Sequence, residues 1–338
     1  MADGHPERRV VDILTGAWQA QALHAAAALA IPDHIHAGHT TAAALAAATD
    51  CDKDAVERLM RLLTAIGVFT GTADTGYRLT PAGDLLRTDH ARSMRDMALV
   101  YGQEFHRAWG AVTAAVRTGT SGFEHAFGVP LREHLATDPP AAARFQRAMN
   151  AGNVIFQDVP AVHDFPATGT VVDVAGGAGA LLAAVLHARP GLDGILFDIP
   201  PVTVFAEESL GRTLDADRYR TVGGNVFEEV PAGGDVYLLS RVLQDWDDAH
   251  CRRLLANIRA AMPAHARLLV VERVVAEHGQ CLLPLLWDLH LLMAAGGRER
   301  TLDGYRTLLG GAGLRLEAVH RLPLETSLLV AAPAKDDK

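Results

Sequence analysis

The sequence lacks the features that mark several classes of protein. Its three cysteines, Cys51, Cys251 and Cys281, are few and widely spaced, which fits neither a disulfide framework nor a Cys-x-x-Cys metal site. No apolar run is long enough for a transmembrane helix, and the first ten residues contain no apolar signal-peptide core. We therefore expect a cytoplasmic protein that has no membrane partner.

A surplus of basic residues is also missing. The 338 residues include 31 Lys and Arg against 40 Asp and Glu, which gives a formal net charge of −9. This balance argues against a nucleic-acid partner, because contacts to phosphates require positive charge. The composition is otherwise that of a globular protein, with 49% hydrophobic residues, and the chain is long enough for two domains and a large core.

Residues 1–92 have the pattern of a winged helix. Three predicted helices, over 10–29, 42–48 and 53–66, precede two short strands that flank the turn sequence at 73–76. Residues 1–90 contain seven Lys and Arg against eleven Asp and Glu, a net charge of −4, whereas a helix that enters the DNA major groove is basic. Because the long first helix has an apolar face that needs a partner surface, we predict a dimerisation domain rather than a DNA-binding one.

The rest of the chain is predicted to form two further parts. Residues 93–165 are all helical in pattern and are expected to link the domains and to roof a substrate pocket. Residues 166–334 alternate between strands and helices, which predicts a doubly wound, Rossmann-like α/β domain.

The stretch from 170 to 198 has the pattern of a nucleoside-binding βαβ unit. An apolar strand leads into a turn with Gly176, Gly177 and Gly179, a helix follows, and a second buried strand ends at Asp198. Such glycines let a ligand lie against the backbone, and a carboxylate at the end of the second strand can accept both hydroxyls of a ribose.

S-adenosylmethionine is a better candidate for this nucleoside than a dinucleotide. The dinucleotide fingerprint needs a third glycine at position 182, where the chain has Leu182, and the turn has no basic residue to meet a phosphate. Asp173 adds a negative charge just before the turn, which suits the sulfonium and amino groups of this cofactor. The alternative is a plain βαβ core whose glycines serve packing alone.

Four segments then give the chain a family resemblance: DVAGGAGALL (173–182), FDIPPV (197–202), GGNVFEEVPAGGDVYLLSRVLQDWDD (223–248) and GGRERT (296–301). Together with the winged helix, they resemble the S-adenosylmethionine-dependent O-methyltransferases of the plant caffeic acid type and their bacterial relatives in natural-product biosynthesis, including 2-oxo acid C-methyltransferases. The resemblance implies a class I methyltransferase fold, S-adenosylmethionine as cofactor, a small-molecule acceptor, and a homodimer with intertwined N-terminal domains.

Carried over position by position, the resemblance assigns cofactor residues along the predicted sheet. With Asp173 from the charge argument above, they are Asp173, Gly176, Gly177, Gly179, Asp198, Asn225, Val226, Phe227 and Ser240. The glycines would border the methionine portion, Asp198 would bind the ribose, and Val226 and Phe227 would pack on the adenine. Asn225 stands where the family usually has Asp beside the adenine, and Ser240 stands where many members have Lys, so the contact at 240 is left open.

The catalytic motif departs from the family pattern. The family's base is the His of a His-Asp-Trp motif, which here is Gln244-Asp245-Trp246. Glu272 and Glu299 correspond to the carboxylates that flank this base in the family. An amide cannot take up a proton near neutral pH, and general-base help is typically worth about 10²- to 10⁴-fold in rate.

Three accounts of the missing base are open. An acidic acceptor would ionise with little help, leaving proximity and orientation to supply roughly 7–11 kcal/mol. Alternatively, His290, on the predicted helix before GGRERT, is a replacement base, although it also suits a structural role in the core. In the third account Gln244, Asp245 and His290 hold a divalent metal ion that stabilises the enolate of a 2-oxo acid, although Gln is a poor metal ligand.

We therefore expect an S-adenosylmethionine-dependent methyltransferase of secondary metabolism. Metal-assisted C-methylation of a 2-oxo acid is slightly favoured over O-methylation of a phenolic or other hydroxylated natural product. A further alternative is an enzyme of the same fold that uses the sulfonium charge without transferring a methyl group, since such members of the fold also lack the His base.

Overall fold

The computed structural model describes residues 5–276 and 281–334. The helices are α1 (Pro6–Ala28), α2 (Ile31–His36), α3 (Ala42–Thr49), α4 (Lys53–Ala65), α5 (Pro81–Asp84), α6 (Arg95–Val100), α7 (His106–Trp109), α8 (Val112–Thr118), α9 (Gly122–Phe127), α10 (Leu131–Thr137), α11 (Pro139–Ala151), α12 (Val159–Val162), α13 (Ala180–Ala188), α14 (Pro200–Gly211), α15 (Asp248–Ala261), α16 (Leu282–Ala294) and α17 (Leu302–Gly311). A π-helical turn spans Tyr101–Phe105, and 3₁₀ turns span Gly152–Asp158 and Leu243–Asp245.

The strands are β1 (Phe69–Thr72), β2 (Gly76–Leu79), β3 (Gly169–Val174), β4 (Leu192–Asp198), β5 (Tyr219–Gly223), β6 (Val236–Ser240), β7 (Arg267–Val275), β8 (Arg300–Thr301), β9 (Leu314–Leu322) and β10 (Thr326–Pro333). The chain forms two compact units. The first contains Met1–Ala111 and Ala126–Gly152, and the second contains the remainder, so the helices of the predicted linker over 93–165 are divided between them.

The first unit contains the predicted winged helix. Thr41 and Asp52 cap α3 and α4, since their side chains accept hydrogen bonds from the N–H groups three residues later. The hairpin of β1 and β2 is antiparallel, with Phe69 opposite Leu79. Apolar side chains from α1 to α4 and the hairpin form one buried cluster, which includes Ile31, Leu45, Met60, Leu63 and Phe69.

One face of α1 is not covered by any other part of residues 5–276 and 281–334. Val10, Ile13, Leu14 and Trp18 are 56%, 64%, 64% and 68% exposed. Their spacing of three, four and eight residues puts them on the same side of a helix. Apolar patches of this kind on a soluble protein mark contact surfaces.

The second unit is built on a sheet with the strand order β5-β4-β3-β6-β7-β10-β9. Strands β3 to β7 run parallel, and the hairpin of β9 and β10 closes the sheet antiparallel to β7. Buried side chains form one cluster on each face of the sheet, which explains the continuous apolar runs in its central strands. This architecture confirms the predicted class I methyltransferase fold.

The order of the parallel strands positions the site. After β3 the chain adds β4 and β5 on one side of it, and then β6 and β7 on the other. Ligands of doubly wound sheets bind at such a reversal, outside the carboxyl ends of the strands. Over the described ranges, none of the helices is both long and apolar enough to cross a membrane.

Candidate active site

The turn after β3 follows a path that depends on its glycines. Gly179 has a φ of +79°, and a Cβ there would lie 2.6 Å from Leu210 Cδ2. A Cβ on Gly176 would lie 2.7 Å from the carboxyl carbon of Asp173. A Cβ on Gly177, by contrast, would meet no heavy atom within 4 Å among the residues described. The turn is therefore packed on one side and open where a ligand would approach.

Asp198, at the end of β4, is tied to this turn. Its Oδ2 accepts a hydrogen bond of 2.9 Å from the N–H of Gly177, and its Oδ1 accepts one of 2.7 Å from the N–H of Ile199. Burial raises the pKa of this carboxyl, and the two hydrogen bonds offset part of the rise. Because an ionised carboxylate has about four acceptor positions, two remain for the hydroxyls of a ribose.

Asp173 lies beneath the same turn, inside the sheet. Burial raises the pKa of its carboxyl to about 7, a hydrogen bond from the N–H of Leu182 lowers it, and the charge of Asp198 raises it further. Its buried Oδ2 has no hydrogen-bond partner within the described part of the chain. Such an atom is costly to bury, and it fits a site that receives a hydrogen-bond donor or a cation.

The loop after β5 holds Asn225 through its own side chain. Asn225 Oδ1 accepts from the N–H of Phe227 at 3.0 Å, and its Nδ2 donates to Glu228 Oε1 at 2.9 Å. The oxygen and the nitrogen of the Asn225 amide thus both hold the loop in shape. This role is not predicted by the comparison with an Asp that lies beside the adenine. Val226 and Phe227 are half-buried, and the Phe227 ring lies edge-on to Trp246 with centroids 4.8 Å apart.

Gln244 and Asp245 lie in the 3₁₀ turn that follows β6. The Gln244 side chain hydrogen-bonds to Asp245, which makes the amide N–H₂ the donor, while the buried Oε1 finds no partner in residues 5–276 or 281–334. The Asp245 side chain is exposed, yet protein atoms surround it closely, and this desolvation raises its pKa to about 6. Asp245 therefore lines a concave part of the surface.

Ser240 ends β6 just before this turn. Its Oγ is buried and has no hydrogen-bond partner among the residues that the structure describes. A hydroxyl lacks the reach and the charge of the Lys that many family members have there, so the ionic contact of those members is lost.

Glu272 and Glu299 are both buried beside the turn. Glu272, in β7, accepts hydrogen bonds from the N–H groups of Val242 and Leu243 through Oε1. Burial raises its pKa well above the ordinary value, and the charges of Glu299 and Asp245 add to the rise. Burial likewise raises the pKa of Glu299 to about 7, and Arg273, whose Nη1 is 3.8 Å from Glu299 Oε1, partly opposes it.

His290 is a buried residue of α16. Its ring is edge-on to Trp287, with centroids 5.4 Å apart, and desolvation lowers its pKa to about 4. A neutral imidazole with this pKa is a weak base at pH 7, because general-base catalysis is most effective when the pKa lies near the working pH.

The predicted metal site gains no support from the arrangement of these side chains. In the described ranges, no group of three or more His, Cys, Asp and Glu residues is placed to hold a metal ion. Gln244 and Asp245 share a turn, and the hydrogen bond between their side chains directs the amide N–H₂, which is not a metal ligand, towards Asp245.

One residue outside the predicted set also contacts the turn that carries Gln244 and Asp245. Arg300, in β8 at the end of the GGRERT segment, donates to the carbonyl oxygens of Leu243 and Trp246. Its position in the resembling segment is the only signal in the sequence that points to it.

Taken together, these residues form two neighbouring parts of one edge of the sheet. Asp173, the glycine turn and Asp198 form a half that suits a cationic nucleoside. Gln244, Asp245, Glu272 and Glu299 form a half that can orient an acceptor. The ring contact between Phe227 and Trp246 joins the halves.

Comparison with known proteins identifies matches to both units. The model of an O-methyltransferase domain matches residues 109–315, and the model of an O-methyltransferase dimerisation domain matches residues 11–89. The chain is 44% identical to a 3-amino-4-hydroxybenzoate 4-O-methyltransferase of Streptomyces cremeus over 96% of this chain and 89% of that protein. It is 41% identical to a phenazine-1-carboxylate N-methyltransferase of Pseudomonas aeruginosa over 97% of each.

A solved structure extends this likeness to the fold. The chain matches CalO1, a methyltransferase in calicheamicin biosynthesis solved in its SAH-bound form, with a TM-score of 0.87 and 34% identity over 98% of this chain and 100% of that one.

The buried carboxyls predict a stability that falls as pH rises. The folded pKa of Glu299 is about 7 against an ordinary 4.5, so its contribution is complete below about pH 4.5 and is lost as pH rises through about 7. The loss from this group is roughly 3 kcal/mol, and Glu272 acts in the same direction. Urea unfolding at several pH values measures this effect. We expect the free energy of unfolding to fall less with rising pH in Glu299→Gln than in the unmodified protein.

Glu208→Gln, on the exposed side of α14, is the matched control and should keep the decline of the unmodified protein. A Glu299→Gln variant that declines just as steeply would show that Glu299 is ionised throughout this range.

Proposed function

This chain belongs to the S-adenosylmethionine-dependent O-methyltransferase family whose members carry a dimerisation domain, and we propose that it methylates an oxygen or ring nitrogen of an aromatic carboxylic acid. Two relatives support this acceptor class, because their names give 3-amino-4-hydroxybenzoate and phenazine-1-carboxylate as substrates. The observation that carries the choice of reacting atom is Gln244, which cannot serve as a base.

The cofactor would be held by the half of the site around Asp198. Two free acceptor positions on this carboxylate suit the ribose hydroxyls, and the open side of Gly177 leaves room for the methionine portion. The orphaned Oδ2 of Asp173, directly below the turn, would face the cationic end. Val226 and Phe227 present apolar surface to the adenine, while Asn225 keeps their loop in shape.

When bound, S-adenosylmethionine would supply an electrophilic methyl group to the lone pair of the acceptor and would leave as S-adenosylhomocysteine. The residues of this chain contribute position rather than proton transfer. Gln244 donates a hydrogen bond to Asp245 and keeps an Oε1 that has no partner among the described residues, so this oxygen would be available to accept a hydrogen bond from the substrate. Orientation of this kind is worth up to several powers of ten in rate.

The absence of a base selects the acceptor. A ring nitrogen has no proton on its lone pair, and an acidic phenol is ionised at neutral pH, so neither needs a base before methyl transfer. A weakly acidic hydroxyl would need one, at a cost of about 10²- to 10⁴-fold without it. His290 stays a weaker alternative, because its lowered pKa of about 4 makes it a poor proton acceptor.

Metal-assisted C-methylation of a 2-oxo acid, which the sequence slightly favours, is not supported. The described residues offer no metal-binding group, and the two named relatives methylate oxygen or nitrogen. A reaction without methyl transfer likewise has no observation in its favour, so we retain methylation of a heteroatom.

A homodimer is the second part of the proposal. The dimerisation model covers Trp18, and the exposed face of Val10, Ile13, Leu14 and Trp18 supports α1 as part of the contact. We expect Trp18→Asp to halve the mass measured by light scattering at micromolar concentration, while Val204→Asp, at an exposed site on α14, should leave it unchanged. A Trp18→Asp protein that remains dimeric would exclude this face from the contact.

The cofactor assignment predicts a large effect at Asp198. Hydrogen bonds to a charged group are worth about 1.5–3 kcal/mol each, so Asp198→Ala should weaken S-adenosylhomocysteine binding by about tenfold or more. The affinity of Asp198→Asn for S-adenosylhomocysteine should lie between those of Asp198→Ala and the unmodified protein. Calorimetric titration measures both.

Asp193→Ala is the matched control, since Asp193 is exposed on the same strand. Its affinity should stay within about twofold of the unmodified protein. Equal binding by Asp198→Ala would refute the ribose contact.

The reaction is tested by incubating the protein and S-adenosylmethionine with 3-amino-4-hydroxybenzoate, phenazine-1-carboxylate or phenylpyruvate, with and without EDTA. We expect S-adenosylhomocysteine and a methylated product from at least one aromatic acid, equally in EDTA. If phenylpyruvate were the single acceptor turned over, and if EDTA abolished that activity, the metal-assisted mechanism would be supported instead. Loss of cofactor without S-adenosylhomocysteine would point to chemistry other than methyl transfer.

Restoring the family's base distinguishes the acceptor atoms. Gln244→His should raise kcat about tenfold or more for a hydroxyl that is protonated at the assay pH, since general-base help is worth about 10²- to 10⁴-fold. It should give no gain for a ring nitrogen or an ionised phenolate. A gain with the acceptor that the unmodified enzyme prefers would mean that this acceptor does need a base.

A further inference from the structure

The turn that carries Gln244 and Asp245 is held from two sides by buried polar side chains that hydrogen-bond to its main chain. On one side, Arg300 Nη1 donates to the carbonyl oxygen of Leu243 at 2.7 Å, and Nη2 donates to that of Trp246 at 2.8 Å. The same guanidinium hydrogen-bonds to Asp248 Oδ1 through Nε at 3.1 Å and Nη2 at 2.8 Å. One planar group therefore spans the beginning and the end of the turn.

Glu272 holds the opposite side of the turn. Its Oε1 accepts from the N–H of Val242 at 3.0 Å and from the N–H of Leu243 at 2.9 Å. The carboxylate thus binds the main-chain donors at the start of the turn, while the guanidinium binds the main-chain acceptors. Because both side chains are buried, neither group can exchange these partners for water, and the position of the turn is closely defined.

The backbone of the Arg300 loop also contacts Gln244 itself. The N–H of Arg298 donates to the carbonyl oxygen of Gln244 at 2.8 Å. Gly297 lies so close that a Cβ there would be 2.3 Å from this oxygen. The main chain of Gln244 is therefore fixed by the same segment that supplies Arg300.

We propose that Arg300 is a positioning residue for methyl transfer, acting through the main chain of the 243–248 turn on the placement of Gln244 and Asp245. This inference rests on the proposed function, in which that turn orients the acceptor. Arg300 does not touch the reacting atoms. Its importance follows from geometry, because a displacement of about 1 Å in an active site can cost about 100-fold in rate.

The fork shape of the guanidinium is what the role requires. Four of its hydrogen bonds diverge to three acceptors, two carbonyl oxygens and one carboxylate. Lysine has the same charge but is a point donor on a flexible stem, so it cannot span these acceptors in one fixed geometry. Arg300→Lys therefore removes the geometry while it keeps the charge that offsets Asp248.

The experiment compares Arg300→Lys with Arg306→Lys, a matched control at an exposed position of the adjoining α17. Hydrogen exchange of the S-adenosylhomocysteine-bound proteins is followed in peptides that cover 242–248. Affinity for S-adenosylhomocysteine and kcat with 3-amino-4-hydroxybenzoate are measured beside it. We expect faster exchange in this segment for Arg300→Lys alone, with kcat lowered about 10- to 100-fold and affinity for S-adenosylhomocysteine within about twofold.

The outcomes separate the inference from its premise. Unchanged exchange and unchanged kcat would overturn the positioning role. Faster exchange with unchanged kcat would mean that Arg300 does position the turn but that the turn does not orient the acceptor, so the premise fails. If all proteins lack turnover with this acid, the exchange measurement alone decides the positioning role.

A second variant keeps the inference testable if Arg300→Lys does not fold. Asp248 is half-exposed at the outer end of the network, so Asp248→Asn weakens the anchor of Arg300 without leaving a new unpaired group in the core. In Asp248→Asn, hydrogen exchange of residues 242–248 should be faster, and kcat should be about two- to fivefold lower than in the unmodified protein. Normal exchange and kcat in Asp248→Asn would count against the role of this network.

Discussion

The burial of carboxyl groups at the carboxyl edge of the sheet is the constraint on which the rest of the site depends. A carboxylate that leaves water must be given hydrogen bonds or it will take up a proton. Asp198 obtains its hydrogen bonds from the glycine turn, and Glu272 obtains them from the turn after β6. Each buried acid therefore fixes one of the two loops between which a cofactor and an acceptor would meet. At Asp198 one of the two donors is the N–H of Gly177, which the tight path of the glycine turn brings within reach.

The same constraint explains why the site can lose a base without losing its shape. In the resembling family a His occupies the position of Gln244, and an amide can replace one hydrogen bond of an imidazole but not its proton affinity. Gln244 keeps a donor directed at Asp245, while Glu272 and Arg300 hold the main chain irrespective of the side chain at 244. Geometry and acid–base chemistry are thus carried by different residues here.

How far the sequence predicts these features depends on how local each feature is. The βαβ unit from Thr170 to Asp198 is readable because strand, glycine turn and acid follow one another within 29 residues. Asn225 is assigned less well, because its amide is used within its own loop, a pairing that a position-by-position comparison cannot detect. The metal account is not supported, since the described residues contain no group of three His, Cys, Asp and Glu side chains placed to hold a metal ion. Reasoning from the sequence does not single out Arg300, because Leu243, which it contacts, is 57 positions away in the chain. An isolated Arg in a polar segment is also typical of the protein surface.

The separation of geometry from base chemistry bears on how the acceptor of such an enzyme can change. A side chain at 244 that bonds to Asp245 and fits beside the turn leaves the Arg300 and Glu272 contacts intact, because those contacts are made to backbone atoms. His and Gln both have a donor that can meet this requirement, so under the proposed function exchanging one for the other would alter which acceptor atoms react while the main-chain contacts stay in place. Relatives that methylate oxygen and relatives that methylate nitrogen, at 44% and 41% identity to this chain, are what such a site would allow. Under the proposed function, the residue at 244 determines whether an acceptor that still carries its proton can react, while the turn held by Arg300 and Glu272 would orient that acceptor.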